Sequence, residues 1–292
     1  MRDIQAAIVQ LRATPDVRAT VAVATALSAR ALADGAALVA LPENFWGIGD
    51  EGLGRELARP LSEADASPIV APLLDLSRRH PGAWIVLGGL PERPAPEDPA
   101  AAQGLVYNTL ALVEGGEIRA SYRKIHRFDA DLADGSVLRE SARVAGGRRP
   151  VVALTPVGAI GLSICYDLRF PALYRALALA GAEIIVAPAA FTLHTGLDHW
   201  EVLVRARALD TQSYVLAPAV WGRHNERRHS FGHSMIVDPW GTVIAQASPT
   251  DTVRQARLDP ALLAQVRSDL PVLRHQVLPE PPPADIIDLR GV

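Results

Sequence analysis

A single cysteine, Cys165, occurs among the 292 residues, which excludes intramolecular disulfides and zinc sites built on several cysteines. A reducing compartment suits such a chain. Lys and Arg form no block longer than two or three residues, and the formal net charge is −3. There is thus no electrostatic footprint for nucleic acid or an anionic membrane. The longest uncharged run, VVALTPVGAIGLSIC (151–165), is too short for a bilayer and is interrupted by Thr155, Pro156 and two glycines. Asp3 falls where a secretory signal needs its positive patch and clean apolar stretch, so none is read. A soluble, cytoplasmic protein is expected. G-x-S-x-G, a phosphate loop ending in Lys-Ser/Thr, HExxH and a post-strand G-x-G-x-x-G are all missing, which removes the main serine-hydrolase and nucleotide readings.

What the chain does have is an apolar content of 49% against 21% charged residues, enough for a large core in one sizeable domain or two ordinary ones. Strand and helix patterns alternate. DIQAAIVQ (3–10) reads as a strand, and Val17, Val21, Ala24, Leu27 and Ala31 have helical spacing. AALVALP (36–42) is a buried strand that delivers Glu43 at its C-terminal end. Ser67-Pro68 predicts a helix start and WIVLGGL (84–90) a strand. NTLALV and EIRASYRK flank EGG as a hairpin, preceded by a Pro-rich loop at 91–102. GAIGLSI leads into Cys165, and a helix from Pro171 stops at Gly181. EIIVAPAAF and SYVLAPAV read as strands around a helix at 198–210 carrying Trp200, Leu203, Val204 and Ala208 on one stripe. A hairpin about PWG, the strand VRQARLD, a helix from Pro260 and an extended tail over 278–292 complete the chain. No composition break divides it, so a single α/β domain over 1–277 is expected.

Cys165 ends an apolar strand and precedes Asp167, Arg169 and Pro171. It is either a small buried hydrophobe or a thiol at a strand's C-terminal end, where α/β proteins place sites. A nucleophilic thiol needs a base at neutral pH. Glu43 in LPENFW and Lys124 in YRKIHRFD also stand at strand ends. Either could be an ordinary solvated charge; together with the thiol they form a constellation suited to amide hydrolysis.

LPENFW, YRKIHRFD and GLSICYDLRFP, in this order and spacing from about residue 3 to 277, resemble the nitrilase superfamily of carbon-nitrogen hydrolases. The resemblance implies a four-layer α-β-β-α sandwich, usually paired into dimers, that works without metal or organic cofactor. It assigns Cys165 as nucleophile, Glu43 as general base and Lys124 as the cation beside the tetrahedral intermediate. The Tyr166 amide shares the oxyanion, and Glu140 in LRESARV matches a second glutamate close to the triad. His126 is expected as a hydrogen-bonding neighbour of Lys124.

FTLHTGLDHWEVLV and GRHNERRHSFGHSMIVDPWG are similar to the Nit branch, in particular to amidases of the deaminated-glutathione type. The implied substrate is a small amide bearing a carboxylate, cleaved to 2-oxoglutarate and Cys-Gly. Arg169, Phe191 and Thr195 match substrate-contacting positions. Arg169 has the fork that binds a carboxylate bidentately, although Asp167 or Glu201 could pair with it instead. Phe191 could equally be core, and Thr195 a cap for a helix near Asp198. The spacings His194/His199 and His229/His233 lack further ligands, and no metal is assigned. An omega-amidase, an N-carbamoyl hydrolase or a true nitrilase remain as alternatives, with a non-catalytic scaffold disfavoured by the intact Glu-Lys-Cys set.

Overall fold

The computed structural model describes residues 1–49, 52–131, 137–226, 228–277 and 284–291. Its strands are β1 (Ile4–Gln10), β2 (Leu38–Ala40), β3 (Trp84–Glu92), β4 (Val106–Glu114), β5 (Glu117–Arg123), β6 (Asp129–Asp131), β7 (Val137–Arg139), β8 (Val144–Ala145) and β9 (Val151–Thr155). They continue with β10 (Gly158–Leu162), β11 (Ile184–Val186), β12 (Tyr214–Ala217), β13 (Trp221–Arg223), β14 (His229–Phe231), β15 (Met235–Val237), β16 (Val243–Gln246), β17 (Thr252–Leu258) and β18 (Asp285–Asp288). The helices are α1 (Val17–Ala33), α2 (Leu53–Leu57), α3 (Ala71–Arg78), α4 (Pro99–Ala102), α5 (Pro171–Leu179), α6 (Leu193–Thr211) and α7 (Pro260–Asp269).

Two mixed sheets of 7 strands each organise the chain, one ordered β17-β1-β2-β3-β4-β5 with β8 beside β4, the other β16-β15-β12-β11-β10-β9-β18. Side-chain parity makes them into layers. On β1 to β3, Ile4, Ala6, Ile8, Leu38, Ala40, Trp84 and Val86 share a core with Ile160, Leu162, Ile184 and Val186 of the second sheet. The alternate residues Ala7, Val9, Val39, Ile85 and Leu87 pack with Val21, Ala24, Leu73 and Leu76 of α1 and α3. On the far side Leu173, Tyr174 and Leu177 of α5 and Trp200 and Val204 of α6 join the second sheet. The result is the α-β-β-α sandwich. Strands covered on both faces are mainly apolar, as β1 to β3 are apart from Gln5, Gln10 and Glu92.

Local chemistry explains the boundaries. Asp16 caps α1 by accepting the Ala19 amide at 3.0 Å, a contact worth about 1 kcal/mol. The EGG turn places Gly115 and Gly116 at φ +59° and +80°, the left-handed pair that a tight two-residue hairpin needs. The expected helix at Ser67-Pro68 begins later, at Ala71: the Ser67 hydroxyl accepts the Ile69 amide at 3.3 Å and holds a turn first. α6 begins earlier than 198, because Thr192 caps it, accepting the Thr195 amide. Thr195 is therefore inside the first turn and is not the cap. The Pro-rich stretch joins antiparallel β3 and β4, pinned by Asp98 to the Tyr107 hydroxyl (2.9 Å) and by Arg123 to Glu92 (2.6 Å). At the C-terminus 278–283 lies outside the described residues, whereas Asp-Ile-Ile-Asp of β18 pairs with β9 at the edge of the second sheet.

Candidate active site

Glu43 follows β2, and a recess beside it is opened by glycine. Pairing of β3 with β4 slips between Leu87 and Leu90, at Gly88-Gly89. A Cβ on Gly89, at φ +70°, would lie 2.9 Å from Glu43 Cγ, and one on Gly88 2.6 Å from the Leu41 and Pro42 carbonyls. The bulge must be glycine for the carboxylate to sit there. Lys124 leaves the end of β5 with its amide donating to the Asn108 carbonyl at 2.9 Å. Cys165 opens the 3-10 turn Cys165–Arg169 at φ +49°. For a residue with a side chain that backbone costs about 1–3 kcal/mol. Its amide donates to the Pro188 carbonyl at 2.9 Å, locking the sharp turn that presents the sulfur.

Glu43, Lys124 and Cys165 come together with Glu140, which lies just after β7. Lys124 Nζ donates to Glu43 Oε1 at 3.0 Å and to both Glu140 oxygens at 2.9 Å. Asn108 Nδ2 reaches Glu43 Oε1 at 2.9 Å and Glu140 Oε1 at 3.2 Å. The Phe128 amide donates to Glu140 Oε2 at 2.6 Å. The Cys165 thiol lies within the electrostatic reach of Glu43 and Lys124, whose charges act on it in opposite senses. Glu43, Lys124 and Cys165 are all buried.

Two carboxylates around one ammonium decide the charge states. Burial alone would push the Lys124 ammonium down, but Glu140 and Glu43 outweigh it and hold it well above the ordinary lysine range. At about 3 Å each contact is worth roughly 5 kcal/mol with an effective dielectric near 20. For Glu43 burial works upward, yet the Lys124 charge and the bonds from Lys124 and Asn108 leave it below the usual carboxylate value. Burial, then the Glu43 charge, push the Cys165 thiol far up. The resting state is thiol, carboxylate and ammonium, and the adjacent carboxylate is a ready acceptor for the thiol proton.

The sequence profile described as carbon-nitrogen hydrolase matches residues 5–268. The chain belongs to the carbon-nitrogen hydrolase family. A deaminated glutathione amidase of Synechocystis sp. (strain PCC 6803 / GT-S) is 40% identical over 280 residues, spanning 95% of this chain and 99% of that protein. Among solved structures, Saccharomyces cerevisiae Nit3, a member of branch 10 of the nitrilase superfamily, superposes with a TM-score of 0.80 at 31% identity, over 93% of this chain and 95% of that one. The Caenorhabditis elegans NitFhit protein gives a TM-score of 0.82 at 36% identity, covering 94% of this chain but 65% of that one.

Around the four groups, this carbon-nitrogen hydrolase places the other sequence candidates unequally. Arg169, at the end of the cysteine's own turn, pairs with neither Asp167 nor Glu201. Glu201 meets Arg205 at 3.4 Å. Asp167 is wholly buried and accepts from the Tyr122 hydroxyl (2.7 Å), the Ile164 amide (2.9 Å) and the His126 amide (3.1 Å), with His126 Nδ1 at 2.7 Å. The Arg169 guanidinium instead has both Nη atoms 3.3 Å from His199 Nδ1 and lies over the rings of Phe191 (5.4 Å) and Tyr166 (5.9 Å). Phe191 is buried against Trp200, ring centroids 5.0 Å apart. The Thr195 hydroxyl is 2.9 Å from that of Thr192. Tyr166 sits in the first turn, where helical amides have no intrahelical acceptor. His126 stacks on Phe170 at 3.6 Å. His199 faces Arg169, and His233 Nδ1 is 2.9 Å from the Phe231 carbonyl. No group of three or more His, Cys, Asp or Glu suited to a metal occurs among the described residues.

Sequence reasoning missed Asn108 and the role of Gly88-Gly89. The paired glycines inside an apolar strand were the one available signal, since glycine there marks a bulge or a close approach. Asn108 stands beside a second polar residue, Thr109, in YNTLAL with nothing to distinguish it.

Proposed function

We propose that this amidase cleaves the γ-amide of deaminated glutathione, releasing Cys-Gly and 2-oxoglutarate through a thioester on Cys165. The observation that carries the reading is Arg169, a fork on the nucleophile's own turn that meets no carboxylate among the described residues, backed by Phe191 and Tyr166. That fork suits the α-carboxylate of the 2-oxo acid portion. The 40% identical Synechocystis relative, named for this substrate, supports it.

Glu43 takes the thiol proton as sulfur attacks the amide carbonyl. The oxyanion is met by the Tyr166 amide and by Lys124, whose bond to Glu43 weakens once that carboxylate is protonated. Protonated Glu43 then gives its proton to the departing nitrogen, the carbon-nitrogen bond breaks and a thioester remains. Water deprotonated by Glu43 attacks the thioester, and the sulfur leaves with a proton returned from Glu43. Glu140 holds Lys124 charged throughout.

Leu197, Val202 and Leu209 on α6 and nearby Trp240 are exposed apolar groups, and a homodimer covering them is part of the reading. The cytoplasm, which keeps a nucleophilic thiol reduced, is the proposed compartment. Among the described residues no helix is long and apolar enough to cross a membrane.

Mass spectrometry with deaminated glutathione and 2-oxoglutaramate side by side tests the substrate. Faster turnover of 2-oxoglutaramate would replace this reading with an omega-amidase. Cys165→Ala should reduce turnover to background while the fold survives, since one sulfur's packing is lost, and the wild type should show the acyl mass. Activity retained in the variant would sink the covalent route.

A further inference from the structure

We propose that Asn108 is a positioning residue for proton transfer: its carboxamide, donating to both glutamates, dictates which Glu43 oxygen receives the thiol proton and bars Glu140 from the role. The proposal deepens the reading of Glu43 as base and Cys165 as nucleophile.

The argument is a count of lone pairs. A carboxylate oxygen has two in-plane acceptor sites. Glu43 Oε1 receives Lys124 Nζ at 3.0 Å and Asn108 Nδ2 at 2.9 Å, so both are taken. Glu140 is filled on both oxygens: Oε1 by Lys124 and Asn108, Oε2 by Lys124 and the Phe128 amide. Among the described residues the oxygen of this cluster left open is Glu43 Oε2, since both donors to that carboxylate fall on Oε1 and its charge bears on the Cys165 thiol. Without Asn108, Oε1 would have a vacant site, the carboxylate could rotate, and Glu140 would become a competing base on the same ammonium.

The amide's orientation follows from the same contacts, because turning it over would set Oδ1 against two carboxylates. In the observed orientation Oδ1 is buried with no hydrogen-bond partner. A side chain placed there for packing would not bear that cost. Gly89 accommodates it, since a Cβ at that position would come within 3.0 Å of Oδ1 and 2.9 Å of Glu43 Cγ. One bulge glycine thus makes room for both the base and its locking amide.

The test uses the full-length enzyme with Asn108→Leu, which keeps the branching at Cγ but loses both donors, and Asn108→Asp, which keeps the shape and reverses the polarity. The first readout is the rate of Cys165 alkylation by iodoacetamide against pH, which needs an activated thiol but no substrate recognition. The second is kcat and KM for deaminated glutathione. In Asn108→Leu, alkylation and kcat should fall about 10- to 100-fold near neutral pH. The acidic limb of both profiles should move up by about one unit, because donors to the charged form of Glu43 are lost. KM should change less than about twofold, as for a contact that acts on the chemical step alone. Asn108→Asp should move the limb further and decides alone if the leucine variant fails to fold. An unmoved limb, or a fall equal at every pH, overturns the proposal. Parent enzyme with the alkylation limb but no turnover of deaminated glutathione defeats the substrate assignment, while the alkylation arm still decides the role of Asn108.

Discussion

The two sheets contribute opposite kinds of structure to one site. From the first come Glu43, Asn108 and Lys124, with Glu140 on the segment after β7, joined by contacts of 2.9 to 3.2 Å in which each group has at least two partners. From the second come Cys165 on a strained turn and Arg169, whose polar partner among the described residues is a single ring nitrogen 3.3 Å away on the exposed His199. Groups that must hold charge inside the protein are over-determined, since breaking one partner of a buried pair costs about 3–5 kcal/mol. A fork that has to exchange its partner for a substrate carboxylate is held loosely. The difference separates an acid-base half, set before substrate arrives, from a recognition half that substrate completes.

The sharpest way to break this division is inside the acid-base half. Glu43→Gln should lower kcat by about 10² to 10⁴, the worth of general acid-base catalysis. Glu140→Gln should lose less turnover but more stability, because it leaves the Lys124 ammonium buried with Glu43 as its only carboxylate. Turnover and thermal unfolding on both variants check this. Equal kinetic losses would show a shared role, and loss confined to Glu140→Gln would move the base there.

In the recognition half the expected effect is smaller and selective. Arg169→Leu should cost about 2–4 kcal/mol in kcat/KM for the carboxylate-bearing amide, the range for removing one partner of a buried charge pair, and much less for an uncharged amide. Arg169→Lys should fall between, keeping charge without the fork. If both amides lose equally and the variant melts early, the guanidinium serves its stacking on Phe191 and Tyr166, and the anion site lies elsewhere.

What could be read in the sequence follows the same divide. Strands buried on both faces announce themselves as apolar runs, and Glu43 and Cys165 stand out because each interrupts such a run at its C-terminal end, whereas Lys124 ends the charged hairpin strand EIRASYR and is legible only through its motif. The EGG hairpin was legible because tight turns restrict residue type. Partners were not. Asp167 looked like a mate for Arg169, two residues away, but serves the Tyr122 hydroxyl and His126 from a distant strand end. Such long-range pairings leave no local pattern. The start of α6 was misjudged for a related reason: the apolar stripe begins at Trp200, whereas Thr192 caps the helix two turns earlier. β18 was read as tail because its four residues give too little alternation to register.

The smallest effect concerns acid, and it separates the halves by pH. His224, in the segment joining β13 to β14, is buried with Nδ1 2.7 Å from the Ala13 carbonyl and Nε2 2.8 Å from the Ser230 hydroxyl. Ser230 in turn bridges to Thr192, and the Phe231 amide donates to the Phe191 carbonyl at 3.0 Å, so this hairpin braces the recognition half. Burial pushes the imidazole down to about 4 from the ordinary 6.5. Between those values the unfolded chain binds a proton that the folded chain refuses, so the stability His224 contributes is whole above 6.5 and is lost as pH falls toward 4. The loss should be about 1 kcal/mol near pH 5.5 and about 3 kcal/mol at the lower end. Denaturant unfolding across this range should show the decline in the wild type and a flatter one in His224→Gln, which keeps polar atoms without the titration. Identical slopes in the two proteins would remove His224 from the account and leave the hairpin braced by its backbone contacts alone.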